Sequence, residues 1–169
     1  EYGMLGSIMK YTDTKFDILV LSEGGNFDES TSTNRHSECE TIWEEIDNIT
    51  GHFLPIKHLA DISEDELINT IESKFNISDY DSIFTPPLED AHFEHRQVNR
   101  ASFSLVRRIQ CGLVTFRTPS ALESWIPNFY VDLTKNTTKG GAIIMFAKKK
   151  ALLNFESQQE KSYFKENSI

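Results

Sequence analysis

The sequence predicts an α/β fold in which helices cover a mostly parallel sheet. Short apolar runs alternate with helical patterns along the chain, the signature of β-α-β units. The first run, Asp17-Ile18-Leu19-Val20-Leu21, is nearly continuously apolar, as in a parallel strand buried on both faces. Polar segments follow the strand candidates at residues 22 to 35, 85 to 95 and 117 to 128. In open α/β sheets that edge binds ligands.

Taken in order, Met4, Leu5, Ile8 and Met9 recur at helical spacing and predict a helix over residues 2 to 11. The strand at 17 to 21 ends in Ser22-Glu23-Gly24-Gly25. A helix is expected from about Arg35 to Ile49, then a short strand at Phe53-Leu54-Pro55-Ile56. Ser63 and Glu66 form the S-x-x-E capping box of a helix that runs to about Phe75. Ser82-Ile83-Phe84 reads as a strand closed by Pro86-Pro87. The next helix covers about Phe93 to Ile109, with Val98, Ala101, Leu105 and Ile109 on one face. Leu113 to Phe116 reads as a strand, Asn128 to Leu133 as a weakly alternating one, and Ala142 to Phe155 as a helix before a polar tail.

Composition narrows the function. The 169 residues suit one domain spanning 1–169. A net charge of −9 argues against a general nucleic-acid binder, because phosphate contacts need clustered Lys and Arg and Lys148-Lys149-Lys150 is too short a run. No apolar run approaches the roughly 20 residues of a membrane span. Two cysteines, Cys39 and Cys111, are too few for a disulfide scaffold, so a reducing, cytoplasmic location is expected. Sequons at Asn48, Asn76 and Asn136 are expected by chance in a chain rich in Asn, Ser and Thr.

Three constellations could carry chemistry. Asp90-Ala-His92-Phe-Glu94-His95 follows a strand and opens a helix, and two histidines three apart can face the same way. Imidazole suits zinc, a nearby carboxylate can fix its tautomer, and a histidine beside a metal can act as acid or oxyanion partner. The bland alternative is an acidic first turn that favours the helix N-terminus, with exposed histidines. Two histidines do not complete a catalytic zinc site, which has three protein ligands. The second constellation is the Gly24-Gly25 turn with Arg35, which could grip a ligand; it matches neither a Walker A loop nor G-x-G-x-x-G, and a solvated Arg35–Glu38 pair is the plainer reading. The third, Trp125-Ile-Pro-Asn-Phe129-Tyr130, could wall a sugar pocket but reads more simply as core and turn. No Ser-His-Asp triad with a nucleophile elbow is visible, and neither cysteine has a catalytic context.

In order along the chain, these segments resemble the PIG-L/LmbE-like family of zinc-dependent N-acetylglucosaminyl deacetylases. Glu1-Tyr-Gly-Met-Leu-Gly-Ser-Ile resembles the end of the family's His-Pro-Asp-Asp-Glu motif and the helix it enters. Leu19-Val-Leu-Ser-Glu-Gly-Gly with Arg35-x-x-Glu38 resembles the second strand, its turn and the next helix. Asp90-Ala-His92-Phe-Glu94-His95-x-x-Val98 resembles Asp-x-His-x-Asp-His-x-x-Val, and Pro127-Asn-Phe-Tyr-Val-Asp132-Leu with Ser157-Gln158 resembles the C-terminal signature. The resemblance implies a Rossmann-like three-layer sandwich whose first strand lies upstream of this chain, with truncation at both ends. It implies that His95 ligates Zn2+ or another divalent metal, with a His and an Asp upstream of Glu1 as the remaining ligands. His92 would stabilise the tetrahedral intermediate or protonate the leaving amine. Glu94, where the family usually has Asp, would orient an imidazole. Arg35 would contact substrate, and Glu1 and Asp90 would support the site. The partner implied is a small amino-sugar conjugate. The rival expectation is a non-catalytic sugar- or nucleotide-binding α/β module, which shares the fold but needs no metal.

Overall fold

The computed structural model describes residues 3–22, 29–134 and 143–158, with only the backbone described for 29–34. In chain order the elements are α1 (Leu5–Lys10), β1 (Phe16–Val20), α2 (Glu29–Glu44), β2 (Ile49–Phe53), α3 (Glu64–Lys74), β3 (Ser82–Thr85), α4 (Phe93–Val106), β4 (Gly112–Thr115) and α5 (Ile144–Leu153). The protein is α/β, as expected. The described strands form two two-stranded parallel sheets, β1 with β2 and β3 with β4, where the sequence suggests one sheet. The chain divides accordingly into two compact units, residues 1–57 with 129–169, and residues 58–128. Each unit holds one β-α-β element, since parallel neighbours need a crossover between them. No helix among the described residues is long and apolar enough to cross a membrane.

In the first unit, β1 and β2 pair from Phe16↔Ile49 to Val20↔Phe53. The second strand therefore precedes the expected 53–56 segment. Pro55 has no N–H to give the ladder, and the last bond runs from the Leu54 N–H to the Val20 carbonyl at 2.9 Å. Gly51, in mid-strand, makes room for Trp43: a Cβ there would lie 2.1 Å from two of its ring carbons. Trp43 joins Leu5, Cys39, Ile42, Ala151, Leu152 and Phe155 in the core, with Ile18 and Val20 packed against it. The β1 strand is thus half-buried, and the expectation of burial on both faces is corrected: Asp17 is exposed and the other four residues are partly buried.

The second helix ends at Glu44, short of the expected Ile49. Its last turn tightens, with the Ile46 N–H donating to the Trp43 carbonyl at 3.0 Å. That releases Asn48, whose Nδ2 lies 3.2, 3.1 and 2.9 Å from the carbonyls of Ile8, Tyr11 and Thr14. The Asn48 amide therefore serves the Ile8 carbonyl in the last turn of α1 and the Tyr11 and Thr14 carbonyls just beyond it. We expect Asn48→Ala to cost about 1 kcal/mol, because one half-buried and two exposed carbonyls lose their donor. Urea unfolding of the variant measures this.

Residues 128–133 form no strand, which corrects the weak alternation read there. Phe129 and Tyr130 are 70% and 78% exposed, so they are not core residues either. Leu133 instead packs on α1 at Gly6, where a Cβ would lie 2.3 Å from its Cδ1. Lys10 Nζ donates to the Asp132 carbonyl at 3.3 Å.

In the second unit, α3 opens on the expected capping box, with the Glu66 N–H donating to Ser63 Oγ at 3.2 Å and the Ser63 N–H to Glu66 Oε2 at 2.8 Å. Buried Leu67 and Ile71 of α3 and Ala101, Leu105 and Val106 of α4 supply the apolar faces of these two packed helices. Along its other contacts, α4 is held to β3 by polar groups. Buried Ser102 donates to Thr85 Oγ1 at 3.3 Å, and Asn99 Nδ2 to the Pro86 carbonyl at 2.8 Å. Pairing from Ser82↔Gly112 to Thr85↔Thr115 aligns the carboxyl ends of β3 and β4, so the segments that leave them emerge side by side.

Candidate functional site

The segment leaving β3 and the segment leaving β4 are stitched together by an antiparallel bridge between Asp90 and Ala121. The Ala91 N–H donates to the Ser120 carbonyl and the Leu122 N–H to the Glu89 carbonyl, both at 2.9 Å. From the first turn of α4, Arg96 Nη1 reaches back to the carbonyls of Asp90 and Ala91, at 2.5 and 2.8 Å. These bonds fix the backbone that presents the acidic and histidine side chains.

Asp90 sits at the centre of the site, with 1% of its surface exposed. Its Oδ1 accepts the His92 N–H at 2.8 Å, a local turn that starts α4. Its Oδ2 pairs with His95 Nδ1 at 3.0 Å and accepts the Thr118 hydroxyl. Burial pushes the Asp90 carboxyl up, but hydrogen bonds from Ser120, Thr118, the His92 N–H and His95 outweigh it and hold its pKa down to about 2. The carboxylate is therefore ionised throughout the physiological range.

His92 and His95 stand with ring centroids 4.8 Å apart and planes tilted by 31°. His92 is about half exposed at the N-cap of α4, with Nδ1 3.9 Å from Glu94 Oε2, the spacing of an ion pair once the imidazole is protonated. His95 is about one-third exposed. The structure thus gathers Asp90, His92, Glu94 and His95 at the start of one helix. The carboxylate hydrogen-bonded to His95 is Asp90, to which the sequence reading gives only a supporting part. Glu94 instead accompanies His92.

Arg35 lies on α2 in the first unit. Glu1 and the Glu23-Gly24-Gly25 turn lie outside the described residues. Three residues downstream of Arg35, the Glu38 carboxylate accepts the Ser157 N–H at 2.8 Å and the Ser157 hydroxyl at 2.6 Å. A cavity of about 360 Å³ lies there, lined by Ser37, Glu38, Asn154, Glu156 and Ser157. Trp125 donates from Nε1 to Thr115 Oγ1 at 3.3 Å, and Ile126 beside it is 81% exposed.

For a divalent metal, His95 fits the part of one ligand. Its Nδ1 is engaged by a carboxylate, the usual arrangement around a metal-binding imidazole, and no hydrogen bond engages Nε2 among the described residues. No three His, Cys, Asp or Glu side chains gather to hold a metal ion among the described residues. Thr118 and Ser120 are the site residues that sequence reasoning missed. The signal for them was available: the polar segment 117–128 follows a parallel strand, at the sheet edge where ligands bind in α/β folds.

Compared with protein-family models, curated proteins and solved structures, the chain shows no significant match.

Proposed function

We propose that this chain carries the downstream half of a PIG-L/LmbE-like deacetylase site, within a Rossmann-like three-layer fold whose first strand and remaining metal ligands lie upstream of Glu1. The reaction is hydrolysis of the N-acetyl group of an N-acetylglucosamine-type conjugate, giving acetate and a free amine. The observation that carries the reading is the Asp90–His95 hydrogen bond at 3.0 Å. A buried carboxylate bonded to Nδ1 leaves the His95 Nε2 as a metal-directed lone pair. A second support is the hydrogen bond between Glu38 and Ser157, which joins two segments that resemble separate family motifs.

His95 would hold zinc through Nε2. Bound zinc supplies Lewis-acid polarisation of the amide carbonyl and acidifies water. His92, half exposed beside His95, can donate to the developing oxyanion or protonate the leaving amine. Glu94 stabilises the protonated form of His92 in that step, and Asp90 orients His95. Arg35 is the proposed contact to the sugar conjugate. A chain with only two cysteines, Cys39 and Cys111, suits the cytoplasm.

The test is acetate release from N-acetylglucosamine conjugates by an N-terminally extended protein, before and after His95→Ala. The variant is expected to lose both zinc and activity. Activity that survives loss of the metal overturns the proposal and favours a different hydrolytic chemistry. Absence of acetate release with sugar-dependent stabilisation favours a non-catalytic sugar-binding module.

A further inference from the structure

Two hydroxyl side chains outside the Asp90–His95 segment complete its geometry. Thr118 is buried, with 6% of its surface exposed, and its hydroxyl donates to Asp90 Oδ2. Ser120 Oγ lies 3.3 Å from His95 Nδ1 and 3.5 Å from Thr118 Oγ1. Both ride on the segment that the Asp90–Ala121 bridge holds against the start of α4. Thr118 thus reaches Oδ2 from a segment distant in sequence, while the His92 N–H occupies Oδ1 at 2.8 Å.

A carboxylate that already accepts from a backbone N–H and a hydroxyl is an acceptor toward the imidazole as well. The hydrogen in the Asp90–His95 contact then belongs to Nδ1, and the neutral ring keeps its lone pair on Nε2. We propose that Thr118 and Ser120 are positioning residues: they clamp Asp90 and the Nδ1 edge of His95, holding the ring as the Nδ1–H tautomer with Nε2 turned outward. The Nε2–H tautomer, which free imidazole side chains prefer, would aim a hydrogen at the incoming ligand and block coordination. That this matters for a metal rests on the deacetylase reading. The tautomer itself does not, since it follows from the hydrogen bonds of this chain alone.

The experiment is a long-range proton–nitrogen correlation spectrum of the isotopically labelled, metal-free chain at about pH 8, above the ordinary histidine pKa of about 6.5. His95 is expected to show the Nδ1–H pattern. In the Thr118→Val/Ser120→Ala double variant, where Asp90 loses the hydroxyls that fix it, the Nε2–H form is expected to gain population at the expense of Nδ1–H. Thr118→Ser, which keeps a hydroxyl at that position, is expected to retain the wild-type pattern. Ser120→Ala alone removes a partly buried group and tests the Nδ1 edge without emptying the buried Thr118 position. An Nε2–H pattern for wild-type His95 overturns the proposal, as does an unchanged pattern in the folded double variant. Zinc titration of the N-terminally extended protein separates the two readings. No zinc binding alongside an Nδ1–H His95 removes the deacetylase reading and leaves the positioning role standing. Zinc bound through His95 alongside an Nε2–H ring in the metal-free chain does the reverse.

Discussion

Asp90→Ala is expected to destabilise the protein by about 3 kcal/mol, because a buried or half-buried donor left without its acceptor costs about 1–3 kcal/mol and Asp90 serves several. The donors are the His92 N–H, the Thr118 hydroxyl and His95 Nδ1. The same carboxylate also makes stability depend on acid. Its folded pKa lies at about 2, against an ordinary value of 3.8. A depressed carboxyl pKa contributes stability above the unfolded value, and that contribution is lost as pH falls through the folded one. The wild-type chain should therefore lose about 2 kcal/mol from this group between about pH 5 and about pH 2. Urea unfolding across that range measures the slope, and Asp90→Asn should flatten it. An equal slope in the two proteins would remove Asp90 as the source. On the proposed zinc-site reading, Asp90→Asn in an N-terminally extended protein should also weaken zinc binding by about 10–100-fold, the usual cost of losing the carboxylate behind a ligating imidazole.

The largest effect away from the site belongs to Trp43. It is 7% exposed, stacks on Phe53 at 5.3 Å between ring centroids, and lies across Gly51 of β2. Trp43→Ala is expected to cost about 3–5 kcal/mol through lost burial and the cavity left behind. For a chain of this size, that lowers the melting temperature by about 10 °C. Gly51→Ala should be severe on its own and much milder in the Trp43→Ala background, because the added methyl then enters the space vacated by the ring. Equal penalties in both backgrounds would mean that Gly51 is needed for some reason other than contact with Trp43.

Much of the local structure was legible because it depends on neighbours in sequence. The capping box of α3 needs only Ser63 and Glu66, three residues apart, and it forms as read. The apolar run at 17 to 21 becomes β1, and the periodic face of 93 to 109 becomes α4, which ends at Val106. The second strand was misread by about four residues because its apolar signal lies in Phe53-Leu54, whereas pairing selects Ile49-Thr50-Gly51-His52-Phe53. Gly51 is a poor strand residue taken alone; only the Trp43 ring from α2 explains it. The aromatic segment at 128 to 133 alternates in sequence yet finds no strand partner among the described residues, so the alternation does not become a ladder.

The site divides along the same line. By itself the sequence determined that two histidines and two carboxylates, Asp90, His92, Glu94 and His95, open a helix after a strand, because all four lie within six consecutive positions. Tertiary structure alone decided which carboxylate holds which ring. Asp90 reaches His95 across the first turn, whereas Glu94 accompanies His92. It also brought in Thr118, 28 residues beyond Asp90, and Ser120 beside it. The register of β3 on β4 sets the ends of those strands level, and backbone hydrogen bonds then lock their outgoing segments together. A hydrogen bond over that sequence distance follows from strand pairing, and a composition or a short motif contains no term for it.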